Sequence, residues 1–253
     1  MSSRHQDELL KKDAWFSGLF GRDSFILNAS PEWIEAVSVQ NSREAAEFRD
    51  LLSGPVFVYA KVPTDSLAAA HFLESFGFRL IDTNVLFDRE LPGGPAAPFS
   101  PAVRLARPED REEVMRIARE NFIFSRFHLD PMIPRDTANE IKAQWAGNFF
   151  NGKRGDAMLI AENEGELAGF CQMLFKDGLA TIDLIAVEKK HRRLGLSAAL
   201  VAAAESHYTK KATRMLVGTQ VANIPSMRSY EKAGFRIRDS KYIFHYHNTG
   251  QKI

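Results

Sequence analysis

One stretch of this chain restricts its fold more than any other. In Val187 to Ser197, VEKKHRRLGLS, the apolar run Leu184-Ile185-Ala186-Val187 gives way to a basic loop and then, at Gly195, to the helix-prone segment LSAALVAAAESHY. A strand must end and a helix must begin inside this loop. A helix N-terminus presents unpaired backbone N–H groups and a partial positive charge, and a small residue lets an anion come close to them. Gly195 and Ser197 give that access, while Arg192 and Arg193 add charge. The layout is that of a diphosphate site built from Arg192, Arg193, Leu194, Gly195, Leu196 and Ser197.

A second stretch lies downstream, after a strand expected over Met215 to Gln220. In NIPSMRSYEKAGF, Asn223 to Phe235, Asn223 and Pro225 start a short helix, Gly234 ends it, and Phe235 opens the next strand.

Read together, the two stretches resemble the GNAT superfamily of acyl-CoA-dependent N-acetyltransferases. Arg192-x-x-Gly195-x-Ser197 is similar to the family's Q/R-x-x-G-x-G/A signature, with serine where the family carries glycine or alanine. N-x6-Y-x3-G-F, from Asn223 through Tyr230 to Phe235, is similar to the pattern in which the asparagine contacts the cofactor and the tyrosine protonates the departing thiolate. The resemblance covers residues 102 to 247. It implies a mixed α/β fold with a mostly antiparallel central sheet flanked by helices, and acetyl-CoA as co-substrate. It further implies a splay or bulge between two central strands, where the backbone of Ile185, Ala186 and Val187 contacts the pantetheine arm. An N–H of Val187 or Ile185 then faces the oxyanion.

Composition narrows the remaining classes. At 253 residues and 45% hydrophobic content, the chain can build two modest domains. A formal charge of +1 gives no long-range field for nucleic acid or an anionic membrane, so neither is expected as a partner. The one cysteine, Cys171, lies in the apolar strand Ala168 to Phe175; it reads as a buried structural residue in a reducing compartment. The N-terminus MSSRHQDELLKKD lacks the apolar core of a signal peptide, and no segment nears the roughly 18 apolar residues of a membrane span. The expected location is cytoplasmic. None of the seven histidines has metal-site spacing, so no metal is expected.

In chain order, residues 1–91 form a first domain. Its elements are a helix from Glu32 toward Leu52 started by Ser30 and Pro31, a strand Val56 to Val62, a helix Asp65 to Phe76, and a long strand Phe78 to Leu91. PGGPAAPFSP, 92–101, is a linker. The second domain, 102–253, opens with a strand Ala102 to Ala106 and a helix Glu109 to Glu120 that puts Val114, Ile117 and Ala118 on one face. A helix capped by Asp136 and carrying Trp145 follows, then three strands ending at Thr181 to Val187. Glu74 to Phe87 (ESFGFRLIDTNVLF) matches Glu231 to Phe244 (EKAGFRIRDSKYIF) without gaps at six of fourteen positions. That echo points to two copies of one architecture. The first copy reads as degenerate, because Leu73 stands where the second has Tyr230.

The segment Phe124 to Trp145, FSRFHLDPMIPRDTANEIKAQW, resembles the dTDP-fucosamine acetyltransferase group, which acetylates a nucleotide-linked amino sugar. TQVAN, Thr219 to Asn223, points the same way. That resemblance implies substrate contacts at Arg126, whose planar fork suits diphosphate oxygens, and at Phe127. Tyr230, with an ordinary pKa near 10, suits donation to a thiolate of about 8.5 to 10. Asp183 shares strand parity with Ile185 and Val187, and is the candidate general base against a structural alternative; His128 and Asp130 rank behind it. Other acceptors, such as a protein N-terminus, a peptide or a small-metabolite amine, fit the cofactor motif equally, and a non-catalytic acyl-CoA-binding module is the alternative from another class. The strand ending at Phe244 to His247 offers an edge through which a homodimer could form.

Overall fold

The structure, a computed structural model, describes residues 10–28, 34, 43–91, 93, 100 and 102–250. The expected helix start at Ser30 to Glu32 and most of the stretch 92–101 lie outside these. The chain divides into two compact units, Met1–Asn84 with Ser240–Ile253, and Val85–Asp239.

In the first unit, strand β1 (Leu10–Lys12) leads into helix α1 (Ala14–Phe20), then β2 (Asp23–Leu27), α2 (Arg43–Ser53), β3 (Val56–Pro63), α3 (Leu67–Ser75) and the start of β4 (Arg79–Glu90). Asp13 caps α1, its Oδ1 accepting from Phe16 N at 3.0 Å, and Gly21 closes that helix at φ 62°. β1 and β2 are antiparallel, and β2 and β3 parallel. β3 then pairs antiparallel with Lys241 to Asn248 of the last strand, β10 (Arg236–Asn248), so Phe244 to His247 is already paired within the chain along this side, against the edge expected there. Phe48, Leu52, Val58, Phe72, Leu73 and Phe78 form the core.

The second unit holds the sheet order β4–β9–β8–β7–β6–β5. Its elements are β5 (Val103–Leu105), α4 (Arg111–Asn121), α5 (Arg126–Leu129), α6 (Arg135–Phe150), β6 (Ala157–Asn163), β7 (Glu166–Lys176), β8 (Leu179–Val187), α7 (Leu196–Tyr208), β9 (Arg214–Gln220) and α8 (Ile224–Lys232). Pairing is antiparallel from β5 through β8, and parallel between β8 and β9. Helices cover both faces. Val114, Ile117 and Ala118 of α4 meet Ala146 of α6, Met158, Ile160 and Phe170 on one side. Leu196, Leu200 and Ala204 of α7 meet Leu159, Cys171, Ile182 and Tyr230 on the other. Each fully buried aliphatic side chain contributes about 1.5–3 kcal/mol. The mixed α/β fold with a mostly antiparallel sheet is the one expected. α6 begins two residues earlier than the sequence suggested, with Pro134 at its cap and Asp136 in its first turn.

The internal echo is structural. Gly77 and Gly234 sit at φ 85° and 83° past α3 and α8. Phe78 N donates to Leu73 O at 3.0 Å, and Phe235 N to Tyr230 O at 3.0 Å. Both helix ends close the same way, and both following phenylalanines are buried. The unit boundaries differ from a division at 92–101. The end of β4, Val85–Glu90, belongs with the second unit, and the end of β10 with the first.

Candidate active site

β8 changes face at Asp183. Leu184 pairs with Gln172 and Ile182 with Met173, so Asp183 is one residue too many against β7 and forms a bulge. Before it, Ala180 and Ile182 face α7; beyond it Ile185 and Val187 do, while Leu184 and Ala186 turn to α4 and α6. Pairing with β9 stops at Ile182 and Val217, although the two strands continue to Val187 and Gln220. The strands therefore splay. Glu188 N donates to Ala168 O at 2.8 Å, and the alternation of an antiparallel ladder then turns the N–H groups of Val187 and Ile185 away from β7, toward the open side. Gly169 opposes Val187, and a Cβ there would lie 2.6 Å from Ala186 O.

Beyond β8 a single 3-10 turn, Lys189–His191, leads to Arg193 at φ 69° and Gly195 at φ 78°. Gly195 is the cap of α7 without a side-chain capping bond; Ala199 N donates to Gly195 O at 3.0 Å, which leaves the preceding N–H groups outside the helix ladder. Leu196 is buried in the core, whereas Arg193, Leu194 and Gly195 are exposed and Ser197 is half-buried. Arg192 braces the loop. Its Nε donates to Val187 O at 3.1 Å and its Nη2 to Asn121 Oδ1 at 3.0 Å. Nearby acids are already matched, since Arg116 binds Glu113, Glu120 and Glu188 and Lys190 binds Glu166. An open depression lined by Glu120, Asn121, Glu188, Lys189 and Lys190 adjoins the loop.

Tyr230 is 6% exposed on the α7 side of the sheet, the side of Ile185 and Val187, with its ring 5.8 Å from that of Phe87 and 6.0 Å from that of Phe235. The expectation of an ordinary pKa near 10 is corrected: burial pushes the phenol well above the usual range, so it stays protonated at neutral pH but is a weaker acid than a free tyrosine. Among the described residues no group hydrogen-bonds its hydroxyl. Asn223 is engaged as a helix cap, its Oδ1 accepting from Ser226 N at 3.4 Å and its Nδ2 donating to Thr219 Oγ1 at 3.3 Å.

The expectation for Asp183 is corrected by the bulge, which sends its carboxylate to the α6 side. There it accepts from Arg154 Nε and Nη2 at 2.6 Å each, from Trp145 Nε1 at 2.9 Å and from Gln172 Nε2 at 3.1 Å. Three of these donors meet Oδ2 and one meets Oδ1, so the carboxylate is held in place by Arg154, Trp145 and Gln172 on the α6 side. Phe127 is also corrected. At 1% exposure it is a core residue and offers no face to a ligand, while the Arg126 guanidinium lies over its ring at 4.7 Å. His128 bonds Ser125 Oγ through Nδ1 at 2.6 Å and Asn139 Oδ1 through Nε2 at 2.9 Å, and burial lowers its pKa; both nitrogens are used by a neutral ring. Asp130 is buried, its Oδ1 accepting from Met132 N at 2.8 Å. Cys171 is fully buried and its thiol is pushed up by desolvation, which leaves it inert.

Sequence reasoning missed Lys142 and Arg154. The signal for Lys142 was there: Ala138, Lys142 and Ala146 recur every four residues along the buried stripe of α6, and a lysine in such a stripe is out of place. Arg154 lies between two glycines in a loop, with no periodicity to mark it.

Comparison with known proteins matches this geometry. The Acetyltransferase (GNAT) family matches residues 112–235, a span that includes the bulged β8, the Gly195 loop and Tyr230. The spore coat polysaccharide biosynthesis protein SpsD of Bacillus subtilis (strain 168) is 32% identical over 195 residues, 75% of this chain and 66% of that protein. The chain thus spans just under two thirds of that relative. Among solved structures, a GCN5-related N-acetyltransferase from Sphaerobacter thermophilus has a TM-score of 0.57 at 15% identity, over 89% of this chain and 72% of that one. A tandem GNAT protein from the clavulanic acid biosynthesis pathway has a TM-score of 0.57 at 15% identity, over 91% of this chain and 76% of that one. Those two likenesses concern fold alone. The family match lies across the splayed strands and the glycine-led helix, so over residues 112–235 the chain is similar to the GNAT acetyltransferase family.

Proposed function

We propose that this chain transfers the acetyl group of acetyl-CoA to the amine of a nucleotide-linked amino sugar by direct attack, as in the dTDP-fucosamine acetyltransferase group that its sequence resembles. The observation that carries the reading is the splay of β8 from β9, beside the Gly195 helix start and with Tyr230 buried on the same side of the sheet. The exposed N–H groups at the start of α7, with Arg193 and Ser197, hold the coenzyme diphosphate. The open edge of Ile185 to Val187 receives the pantetheine arm as an added strand. Arg192 and Asn223 support that site, the first by fixing the loop and the second by setting the start of α8.

In the reaction the neutral amine nitrogen forms a bond to the thioester carbon, whose oxygen gains charge opposite the N–H of Val187 or Ile185. The carbon–sulfur bond then breaks. The sulfur takes its proton from the Tyr230 hydroxyl, the nitrogen gives up its proton to water, and the Tyr230 phenolate regains a proton from water to close the cycle; Asp183 lies on the α6 side, tied to Arg154 and Trp145. Two observations support a sugar acceptor: SpsD is named for polysaccharide biosynthesis, and Arg126 stands half-buried where the sugar-type motif begins. Thiol release measured with a panel of dTDP- and UDP-amino sugars, peptides and simple amines tests the reading. Turnover with an amino sugar is expected, and silence with every sugar would remove that acceptor class.

A further inference from the structure

Lys142 is the least explained charge among the described residues. It is 8% exposed, on the buried stripe of α6. Its Nζ lies 4.9 Å from the ring centroid of Phe122, 4.8 Å from that of Trp145 and 5.9 Å from that of Phe127. Among the described residues it makes no hydrogen bond, and no carboxylate lies within ion-pair distance. The cation–π attraction of three rings offsets part of the cost of burying an ammonium, but rings supply no acceptor for its three N–H donors.

The surroundings add positive charge. The ring of Phe127 also carries the Arg126 guanidinium at 4.7 Å, and the ring of Trp145 carries that of Arg154 at 4.7 Å. Asp183 is the carboxylate of this cluster, and Arg154 holds both of its oxygens. A second group is left over beside it. Gln172 donates to Asp183, but its Oε1 is enclosed and has no hydrogen-bond partner. Donor and acceptor thus sit unmatched around one hub, the Asp183–Trp145 pair.

We propose that Lys142 is an anion-binding residue of the acceptor pocket, its aromatic-caged ammonium taking an anionic oxygen of a phosphate or carboxylate on the acceptor. A buried ammonium with no directly bonded acceptor is expensive, and a ligand oxyanion completes it in a low-dielectric setting where the contact is strong. Desolvation lowers the Lys142 pKa to about 8, against the opposing pull of the Asp183 charge and with the repulsion of Arg126 and Arg154. The inference rests on the acetyltransferase reading only for the word acceptor; the binding test below runs without acetyl-CoA.

The test uses the full chain and its K142M variant, methionine being a close match in length for the caged stem. Thymidine diphosphate, glucuronate and inorganic phosphate serve as probes in titration calorimetry. At least one probe is expected to bind the parent and to bind K142M about 10- to 100-fold more weakly, the range for a hydrogen bond to a charged group. Thymidine diphosphate and glucuronate separate a phosphate from a carboxylate source. A second measurement guards against a misfolded variant: with 13C-labelled lysine in the parent, the Lys142 ε-carbon should titrate at higher pH when the bound probe is present. Equal probe binding by K142M, no probe binding to the parent, or an unmoved titration would each overturn the proposal. Failure of the sugar acetylation assay would leave this result standing, so the two readings fail separately.

Discussion

Arg154 grips Asp183 through two hydrogen bonds of 2.6 Å, and it does so because a single extra residue in β8 has turned that carboxylate to the α6 face. Asp183 at 8% side-chain exposure is the buried member of the pair, Arg154 at 37% the partly solvated one. Asp183→Asn keeps the shape but removes the charge and one acceptor oxygen. The expected loss is about 1–3 kcal/mol of stability by urea unfolding, with turnover falling only as far as folding does. A stable variant that turned over a thousandfold more slowly would instead return Asp183 to the role of base.

Tyr230→Phe removes a hydroxyl that no described protein group bonds, so the fold should be retained. Turnover is expected to fall by about 10² or more, on the scale of general acids, with acetyl-CoA affinity nearly unchanged. Stopped-flow thiol release alongside calorimetric coenzyme binding checks both halves. Equal turnover in variant and parent would refute the assigned role.

Gly195→Ala puts a Cβ on a residue at φ 78° with open space around it. The cost is conformational, about 1–2 kcal/mol for a left-handed L-residue. Acetyl-CoA affinity should drop by about tenfold or more, about 1.4 kcal/mol, as the helix start shifts. An unchanged coenzyme Kd would show that the diphosphate lies elsewhere.

Lys142 makes stability depend on pH in a direction opposite to an ion pair. Its folded pKa of about 8 lies below the ordinary 10.5. Below pH 8 both states are protonated and the folded state carries the full cost of the buried charge. Between about 8 and 10.5 the unfolded chain binds more protons, so stability rises with pH. Relative to K142M, the parent should gain on the order of 2–3 kcal/mol across that window. Parallel stability curves for the two proteins would show that the ammonium is not buried in solution.

The sequence carried those parts of the fold that are written as local punctuation. The two αL glycines at 77 and 234, the strand-loop-helix at Gly195 and the face of Val114, Ile117 and Ala118 were each legible, because period and turn chemistry are properties of neighbouring residues. β1, α1 and β2 were passed over, although Asp13 and Gly21 bracket α1 as cap and stop. The role of Asp183 was not legible. Strand parity assumes an unbroken ladder, and the bulge that reverses it arises from the pairing of β7 with β8, which no local pattern records. For the same reason the rings around Lys142, drawn from the end of α4, from α5 and from α6, come together only in three dimensions.

The crossing of β4 and β10 from one unit to the other has a practical consequence for anyone trimming this protein. A piece starting at residue 102 lacks Val85, Phe87 and Leu91, three buried members of its own core, and so takes away the ring against which Tyr230 packs. It also keeps Lys241 to Asn248 while discarding β3, their antiparallel neighbour. The shortened piece would therefore expose a bare strand and a hollowed interior, and deleting the seemingly idle half is no route to a minimal catalyst.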